Sequence, residues 1–340
     1  MFKNTKLNKT YNFILRFIII SVSYSYIIYQ LFDNDNYRKS IVFFGSHNNL
    51  YIPVLILLFV FVLMLLNWSV EAYKWRYLIA KIEKISFLKA VKAILAGLSV
   101  STFTPNRIGE FLGRVFILNR SNPWKAIFIS TLCSMSQLII TLLIGSISLT
   151  IYIVKYISVT DFLPVYFLYI FIFILILFNF ILVSIFFNVS FVSKLVVRFI
   201  PLKWRKIKNY FKVFAFFNFA ELRNTLIMSF IRYLIFSFQF FILLKFFGLP
   251  VSFFEAYFLI SLIYFIISAI PSIALAELGI RGSVAVGVFD YYFNTSLQLN
   301  YNFNFEVIAA TSVLWIINLA IPALIGNFFV LNLKFFKEKD

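Results

Sequence analysis

Two short segments of the chain place arginine and glutamate one helical turn apart within otherwise apolar sequence. The segment TPNRIGEFLGR contains Arg107, Glu110 and Arg114, and the segment IPSIALAELGIRG contains Glu277 and Arg281. Residues four apart on a helix share a face, so each glutamate and its arginine can neutralise one another there. A guanidinium group also binds phosphate through two hydrogen bonds. The pattern leaves two interpretations open: a structural ion pair in each segment, or a shared site for the phosphate of a lipid headgroup.

Proline and glycine interrupt the helical pattern in both segments. We predict helix breaks at Pro105 and Gly109 in the first segment and at Pro271 and Gly279 in the second. Thr104 followed by proline is typical of a helix start, with a hydroxyl as the N-cap and proline in the first turn. A helix that begins there would direct free amide groups and the positive end of its dipole toward a bound anion.

A further arginine, Arg232, lies inside an apolar stretch with no carboxylate nearby in the sequence. A charge at the centre of a bilayer costs about 2.5–3.5 kcal/mol, so such a residue normally faces the interior of a helical bundle. We expect Arg232 to pair with Glu277 or with a ligand phosphate, and snorkelling to the interface is the alternative. The candidate headgroup-binding residues are Arg107, Glu110, Arg114, Arg232, Glu277 and Arg281.

The composition places these residues in a membrane protein. Of the 340 residues 62% are hydrophobic and 13% are charged, and the mean hydropathy is +0.93. A soluble domain has about 45–50% apolar and ~25% charged residues. The net charge of +18 suits topology signals or anionic lipid, so we expect no nucleic-acid partner. With one cysteine, Cys133, and one histidine, His47, an intrachain disulfide and a cluster of histidine metal ligands are excluded, and we expect no cofactor or metal.

Six stretches are long and apolar enough to cross the membrane as helices, because a hydrocarbon core of ~30 Å needs about 20 residues. They are 11–31, 50–70, 124–154, 162–187, 224–247 and 306–333. Two further regions, 86–119 and 252–292, are apolar but broken near the middle. We predict an all-α polytopic membrane bundle with about six full spans and two broken or re-entrant helical hairpins. The alternative is that both regions are ordinary pairs of spans, which gives about ten helices.

Basic residues are concentrated in alternate connections. The N-terminal segment and the segments 74–92 and 194–212 are densely basic, whereas 33–49 and 155–161 are nearly balanced. By the positive-inside rule the basic segments are cytoplasmic. We therefore expect a multi-pass protein of the bacterial cytoplasmic membrane with both termini in the cytoplasm. The two broken regions would then enter the membrane from opposite sides.

The two broken regions also resemble each other in sequence. Ser86 and Phe87 align with Ser252 and Phe253, and the prolines and the Glu/Arg pairs follow in the same order. We interpret residues 1–340 as one integral membrane domain with two inverted halves, about 50–154 and 224–333. Paired interrupted helices in inverted repeats mark the midplane binding site of many transporters. Chance similarity is the alternative, because short apolar matches are common in such a chain.

The first segment resembles the hallmark of the lysylphosphatidylglycerol synthase transmembrane-region family, whose members are flippase-like membrane proteins. The matching residues are Thr104, Pro105, Arg107, Gly109, Glu110 and Arg114. The second motif of the family, a proline followed by a Gly-x-Arg-Glu element, looks like Pro271, Gly279 and Arg281. Here Gly282 stands where the family often has glutamate, and the acidic residue is Glu277 instead.

The resemblance implies lipid translocation, or assistance to an enzyme that works on membrane lipids or polyprenyl-linked sugars. The family's best-known members carry a soluble aminoacyl-transferase domain after the membrane region, and no such segment follows the last predicted span. We therefore expect a lipid flippase or transporter that moves a phosphate-bearing lipid between leaflets, and not an enzyme. The alternative is a non-catalytic membrane partner of an enzyme that modifies lipid or cell-envelope glycan. The expected partners are an anionic membrane lipid and, in the alternative, that enzyme.

Overall fold

The computed structural model describes residues 51–102, 104, 107–118, 121–156, 164–201, 205–271, 274–296 and 302–331, and these residues contain helices and no β-strand. The helices are, in chain order, α1 (Tyr51–Ile79), α2 (Phe87–Ser101), α3 (Gly109–Phe116), α4 (Pro123–Tyr156), α5 (Val165–Phe187), α6 (Val189–Phe199), α7 (Arg205–Phe211), α8 (Phe219–Phe246), α9 (Phe253–Ala269), α10 (Ala274–Asp290), α11 (Asn304–Trp315) and α12 (Ile321–Leu331). A π-helical segment, Tyr291–Ser296, follows α10, and another, Ile316–Ala320, joins α11 to α12.

Five of the described helices are long and apolar enough to cross a membrane. They are α1, α4, α5, α8 and the continuous run Asn304–Val330, which contains α11 and most of α12. The shortest, α5, has 23 residues and a length of about 35 Å at 1.5 Å per residue, which exceeds the ~30 Å hydrocarbon core. Five of the six predicted spans are thereby confirmed, and the predicted span 11–31 lies outside the described residues. The protein is a multi-pass helical membrane protein.

The first described helix is longer than the sequence analysis expected. The segment from residue 74 onward was assigned to a basic loop, but α1 continues to Ile79 and buries Lys74 completely. Trp75, Leu78 and Ile79 are also fully buried, so the apolar face of the helix extends past the charged residues. Lys74 can be buried because Glu71 lies one turn earlier on the same helix and pairs with it.

The two broken regions each form a pair of short helices. Region 86–119 contains α2 with 15 residues and α3 with 8, and region 252–292 contains α9 and α10 with 17 residues each. At 1.5 Å per residue none of the four helices exceeds about 26 Å, which is less than the ~30 Å core. Both pairs begin at the aligned serines: Ser86 and Ser252 are N-caps whose side chains accept a hydrogen bond from the backbone three residues later. The prediction of broken hairpins is confirmed, and the side from which each enters stays a prediction.

Of the four predicted helix breaks, Gly109 and Pro271 border the observed breaks, Gly279 does not, and Pro105 lies outside the described residues. The helix after the first break begins at Gly109. Arg107 has a φ of 56°, a left-handed conformation that a helix cannot contain. Pro271 does lie in the break between α9 and α10. Gly279, in contrast, lies inside α10, because one glycine costs a helix only about 1 kcal/mol and the tertiary packing of a buried helix outweighs that cost.

The first helix of each hairpin packs against a long helix that is distant in the sequence. The first hairpin helix, α2, packs on α12, where a Cβ at Gly326 would lie 2.0 Å from the carbonyl oxygen of Leu95. The first helix of the second hairpin, α9, packs on α4, where a Cβ at Gly145 would lie 2.4 Å from Cβ of Phe265. Both helix pairs therefore approach so closely that only glycine fits at the crossing. Small residues at such crossings are typical of helix packing in membranes.

Helices α1 and α8 pack against each other. Buried polar contacts join them to each other and to a neighbour. Gln239 Nε2 of α8 donates to the carbonyl oxygen of Val60 on α1 at 2.9 Å, and Trp68 Nε1 of α1 donates to the carbonyl oxygen of Asn318 at 3.2 Å. Hydrogen bonds of this kind between helices replace those that water would make outside the membrane. This packing brings the middle of α1, α4 and α8 next to both hairpins.

Candidate functional site

A charged cavity lies between the two hairpins and the helices α1, α4 and α8. One lobe has a volume of about 560 Å³ and is lined by charged residues of both hairpins and of α1 and α8. An adjoining lobe of about 240 Å³ shares part of this lining and extends toward α11 and its π-helical segment. The charged residues that line one lobe or the other are Glu71, Arg107, Glu110, Arg232, Glu277 and Arg281.

The first group of charges, which we call the Glu71 cluster, consists of Glu71, Lys74, Glu110, Arg114 and Arg232. Glu71 lies at its centre: its Oε2 is 2.9 Å from Nζ of Lys74 and 3.3 Å from Nη1 of Arg232. Its Oε1 accepts a hydrogen bond from Nη2 of Arg114 at 2.9 Å, and the same guanidinium also contacts Glu110. The cluster thus connects α1, α3 and α8 through a single buried carboxylate.

The second group, which we call the Glu277 cluster, consists of Arg107, Glu277 and Arg281. Oε2 of Glu277 accepts a hydrogen bond from Nη2 of Arg107 at 2.5 Å, and its Oε1 accepts one from Nε of Arg281 at 2.8 Å. Arg107 belongs to the first hairpin, whereas Glu277 and Arg281 lie one turn apart on α10. This cluster therefore links the two hairpins directly.

The backbone around Arg107 holds its side chain at the break of the first hairpin. The left-handed conformation of Arg107 costs energy for any residue with a Cβ, and such residues are concentrated at functional sites. Thr104 stabilises the following turn, because its hydroxyl oxygen accepts a hydrogen bond from the amide of Gly109 at 2.8 Å. The threonine thus contacts the first residue of α3 across the break.

The arginines of the two clusters differ in how far they open to the cavity. The exposed fraction of the side chain is 33% for Arg107, 19% for Arg232 and 17% for Arg281, but 0% for Arg114. The first three line the smaller lobe together. Arg114 and Lys74, which is also 0% exposed, lie behind them and hold the carboxylates in place. Three guanidinium groups are therefore available to a bound molecule.

Aromatic rings and unpaired donors complete the lining of the smaller lobe. The guanidinium carbon of Arg232 lies 5.0 Å from the ring centre of Trp68, and that of Arg281 lies 5.8 Å from the ring centre of Phe236. Stacking of this kind holds a cation in place while leaving its edge free to donate. Within the described residues, the lining side chains with a buried donor that finds no hydrogen-bond partner are Arg232 at Nε, Tyr264 at its hydroxyl and Trp315 at Nε1.

The structure brings the six sequence-predicted site residues into these two clusters. The i,i+4 pairs Glu110 with Arg114 and Glu277 with Arg281 form as predicted. Arg232 pairs with Glu71, however, and not with Glu277. The role of these residues in binding a headgroup stays a prediction.

Sequence reasoning missed Glu71 and Lys74. Both follow the predicted span 50–70: Lys74 was assigned to the basic connection 74–92, and Glu71, between the two, was assigned to no element. A helical signal was present: the two charges are spaced i,i+3 and are followed by the apolar residues Trp75, Leu78 and Ile79, all on a continuing helix. An acid and a base at that spacing can neutralise one another on the face of a helix.

The site lacks the features of a metal centre within the described residues, where no group of three or more histidine, cysteine, aspartate and glutamate side chains could hold a metal ion. Cys133 lies near the Glu71 cluster, with its Sγ 3.6 Å from Oε1 of Glu71, but it is fully buried. The chemistry that the arrangement does offer is recognition of an anion by guanidinium groups.

The fold and the site define a polytopic helical membrane protein that encloses a group of ion pairs between two broken hairpins. Over residues 48–328 the chain matches the profile of the family described as Lysylphosphatidylglycerol synthase TM region, and it belongs to that family. The match extends from just before α1 into α12 and so includes both hairpins and both clusters. The search of curated proteins and the search of solved structures give no significant match.

Proposed function

We propose that the protein moves a phosphate-bearing lipid between the leaflets of the membrane. The observation that carries the proposal is the charged cavity, in which Arg107, Arg232 and Arg281 are partly open and lie between the two hairpins. Guanidinium groups in a setting of low dielectric bind phosphate strongly and with defined geometry. A membrane family with such a site suits a lipid headgroup as the ligand.

The residues have separate roles in this proposal. Arg107, Arg232 and Arg281 contact the headgroup. Glu110 and Glu277 position the arginines when the cavity is empty, and Arg114 fixes Glu110 from behind. Because a lipid crosses without the making or breaking of a covalent bond, the proposed role is that of a carrier and not an enzyme.

We further propose that the carrier is an inverted repeat, with halves of about 50–154 and 224–333. The reciprocal packing of α2 on α12 and of α9 on α4 supports this, since a two-fold relation exchanges these two contacts. The matching N-caps at Ser86 and Ser252 support it too. An axis in the membrane plane would place the two breaks on opposite sides of one site, as alternating access requires.

The proposed location is the bacterial cytoplasmic membrane, with both termini inside. The segment after α5 supports this orientation, because four basic residues lie near one another in the chain: Lys194 and Arg198 on α6, Lys208 on α7, and Lys212 directly after α7. Such concentrations of basic charge remain on the cytoplasmic side during insertion.

A second candidate function is that of a membrane partner for an enzyme that modifies lipid or cell-envelope glycan. The outermost helix, α5, favours it, because only 6% of its most apolar stretch is buried within the described structure. Its exposed aromatic face includes Tyr169, Phe173 and Phe180. A face of this kind contacts either lipid tails or the helix of another membrane protein.

Leaflet exchange in proteoliposomes tests the first candidate against the second. The purified protein would be reconstituted with fluorescent phosphatidylglycerol, and the fraction of label reached by dithionite added outside would be followed over time. A carrier makes nearly all of the label accessible, whereas vesicles with a non-transporting partner protect about half. Fluorescent phosphatidylcholine provides the control lipid, because its headgroup has no net charge. Equal protection in protein-containing and protein-free vesicles for every anionic lipid would favour the partner function.

A further inference from the structure

The two clusters around the charged cavity contain more positive charge than their carboxylates neutralise, because Lys74 and Arg114 lie directly behind its lining. In the Glu71 cluster three cations, Lys74, Arg114 and Arg232, face two carboxylates, Glu71 and Glu110. The excess of one cation gives this cluster a formal charge of +1.

The Glu277 cluster has a surplus of the same size. Two cations, Arg107 and Arg281, share the single carboxylate of Glu277, which again leaves +1. Unpaired charge is costly at membrane depth, so each cluster calls for one unit of negative charge from elsewhere. The surplus is thus divided equally between two clusters that border the same cavity.

We infer that the cavity binds a doubly charged phosphate monoester, and not the singly charged phosphodiester of an ordinary phospholipid. This rests on the proposed function and names the class of its headgroup. A monoester has a second pKa near 6 and carries about −1.5 to −2 at neutral pH, whereas a diester carries −1. Only the monoester neutralises both clusters at once.

The donors around the smaller lobe suit the same group. Arg107, Arg232 and Arg281 reach the lobe from the first hairpin, from α8 and from α10 respectively. A monoester presents three terminal oxygens and can accept charge-assisted hydrogen bonds from all three directions. A diester has two such oxygens and a second ester substituent in place of the third. The unpaired donors of Arg232, Tyr264 and Trp315 provide further capacity for an oxygen-rich ligand.

The monoester can belong to a lipid or to a free phosphate ion, and exchange and uptake assays separate these sources. Wild-type protein in proteoliposomes would be tested at about pH 7.5 with fluorescent phosphatidic acid, a lipid monoester, against fluorescent phosphatidylglycerol, a diester. We expect about tenfold faster exchange of phosphatidic acid, which corresponds to ~1.4 kcal/mol. The preference should fall toward parity at about pH 5, where the monoester loses its second charge.

The second assay measures uptake of radiolabelled inorganic phosphate. Uptake of phosphate by the proteoliposomes, with no preference between the two lipids, would identify the free ion as the source of the same chemistry. Preference for phosphatidic acid without phosphate uptake identifies the lipid. Equal exchange of the two lipids without phosphate uptake overturns the inference but leaves the proposed function standing. Exchange of neither lipid, again without uptake, contradicts both.

A variant with one charge removed provides an independent test of the surplus of positive charge in the clusters. In Arg281→Gln the Glu277 cluster becomes neutral, so the ratio of phosphatidic acid to phosphatidylglycerol exchange should fall several-fold. The matched control is Arg198→Gln, which removes an exposed arginine of α6 outside the cavity and should leave the ratio unchanged. An unchanged ratio in Arg281→Gln, in protein that elutes as wild type in detergent, would contradict the charge argument.

Discussion

Arg107 and Glu277, which are 170 residues apart in the sequence, form an ion pair of 2.5 Å that joins the breaks of the two hairpins. Each belongs to a segment with its own local Glu/Arg pair, so the contact between them connects two units that could otherwise be electrostatically self-sufficient. The backbone of Arg107 is left-handed, and its guanidinium lies beside α10. The link also lies at the boundary of the charged cavity, where a bound phosphate would compete with Glu277 for the same arginine.

Replacement of Arg107 should impair transfer more than folding. In Arg107→Ala the carboxylate of Glu277 keeps its contact with Arg281, so no buried charge is left without a partner. The loss of one charge-assisted contact to a phosphate, about 1.5–3 kcal/mol, predicts roughly a 10- to 100-fold slower exchange of an anionic lipid. Dithionite accessibility of the labelled lipid measures the rate, and the yield of monodisperse protein reports folding. If Arg107→Ala does not insert or fold, the structural ion-pair interpretation is favoured, and if it folds as wild type and exchanges lipid at the wild-type rate, the headgroup role is wrong.

Glu71 should be essential for stability, because it is the shared partner of three cations. Glu71→Gln leaves Lys74, Arg114 and Arg232 with one less carboxylate in a buried site, and breaking a buried pair typically costs 3–5 kcal/mol. We expect a large drop in the melting temperature of the protein in detergent, or loss of folded protein altogether. The control is Glu255→Gln, on the exposed first turn of α9, where glutamine can still serve in the capping box. Similar melting temperatures for the two variants would contradict the central role of Glu71.

Replacement of glycine by alanine should have opposite effects on stability at Gly326, where α12 packs closely on α2, and at Gly287 on α10, which has open space around it. Gly326→Ala should destabilise by about 1–3 kcal/mol, since its Cβ would lie 2.0 Å from the carbonyl oxygen of Leu95. Gly287→Ala, on α10, meets no atom within 4 Å and should stabilise by up to about 1 kcal/mol through helix propensity. Thermal unfolding in detergent compares the two variants directly. Equal changes in melting temperature for the two variants would show that the crossing of α2 and α12 has room for a methyl group.

The proposed orientation can be tested with single cysteines. The native Cys133 is fully buried and should not react with a maleimide that cannot cross the membrane, so it gives a low background. A cysteine introduced as Arg198→Cys should be labelled only after the cells are opened, whereas Asp290→Cys should be labelled in intact spheroplasts. Both positions are exposed in the structure. The reverse labelling pattern would invert the proposed topology.

The helical architecture was largely predictable from local sequence. Stretches of 20 or more apolar residues have few alternatives to a spanning helix, since every backbone hydrogen bond must be made inside the segment. The breaks were visible as well, because proline and charge interrupt regions 86–119 and 252–292. The exact starts of the helices were not, because the left-handed backbone of Arg107, just before α3, has no signal in the local sequence.

The candidate site was predictable only in its local part. The pairs Glu110 with Arg114 and Glu277 with Arg281 follow from i,i+4 spacing alone, and both form. The partner of Arg232 could not be inferred in this way, because Glu71 is 161 positions earlier in the chain and its contact depends on how α1 packs against α8.

The sequence by itself determined that this is a helical membrane protein with two interrupted hairpins and a self-neutralising ion pair in each. These properties depend on hydrophobic length and on spacing within one helix, which do not require knowledge of the fold. Only the tertiary structure decided that Glu71 gathers three cations and that Arg107 reaches Glu277. It also decided that the two clusters, which together have a surplus of positive charge, border one cavity. Contacts between distant helices arise from close packing at glycines such as Gly145 and Gly326, and that geometry is a property of the assembled bundle.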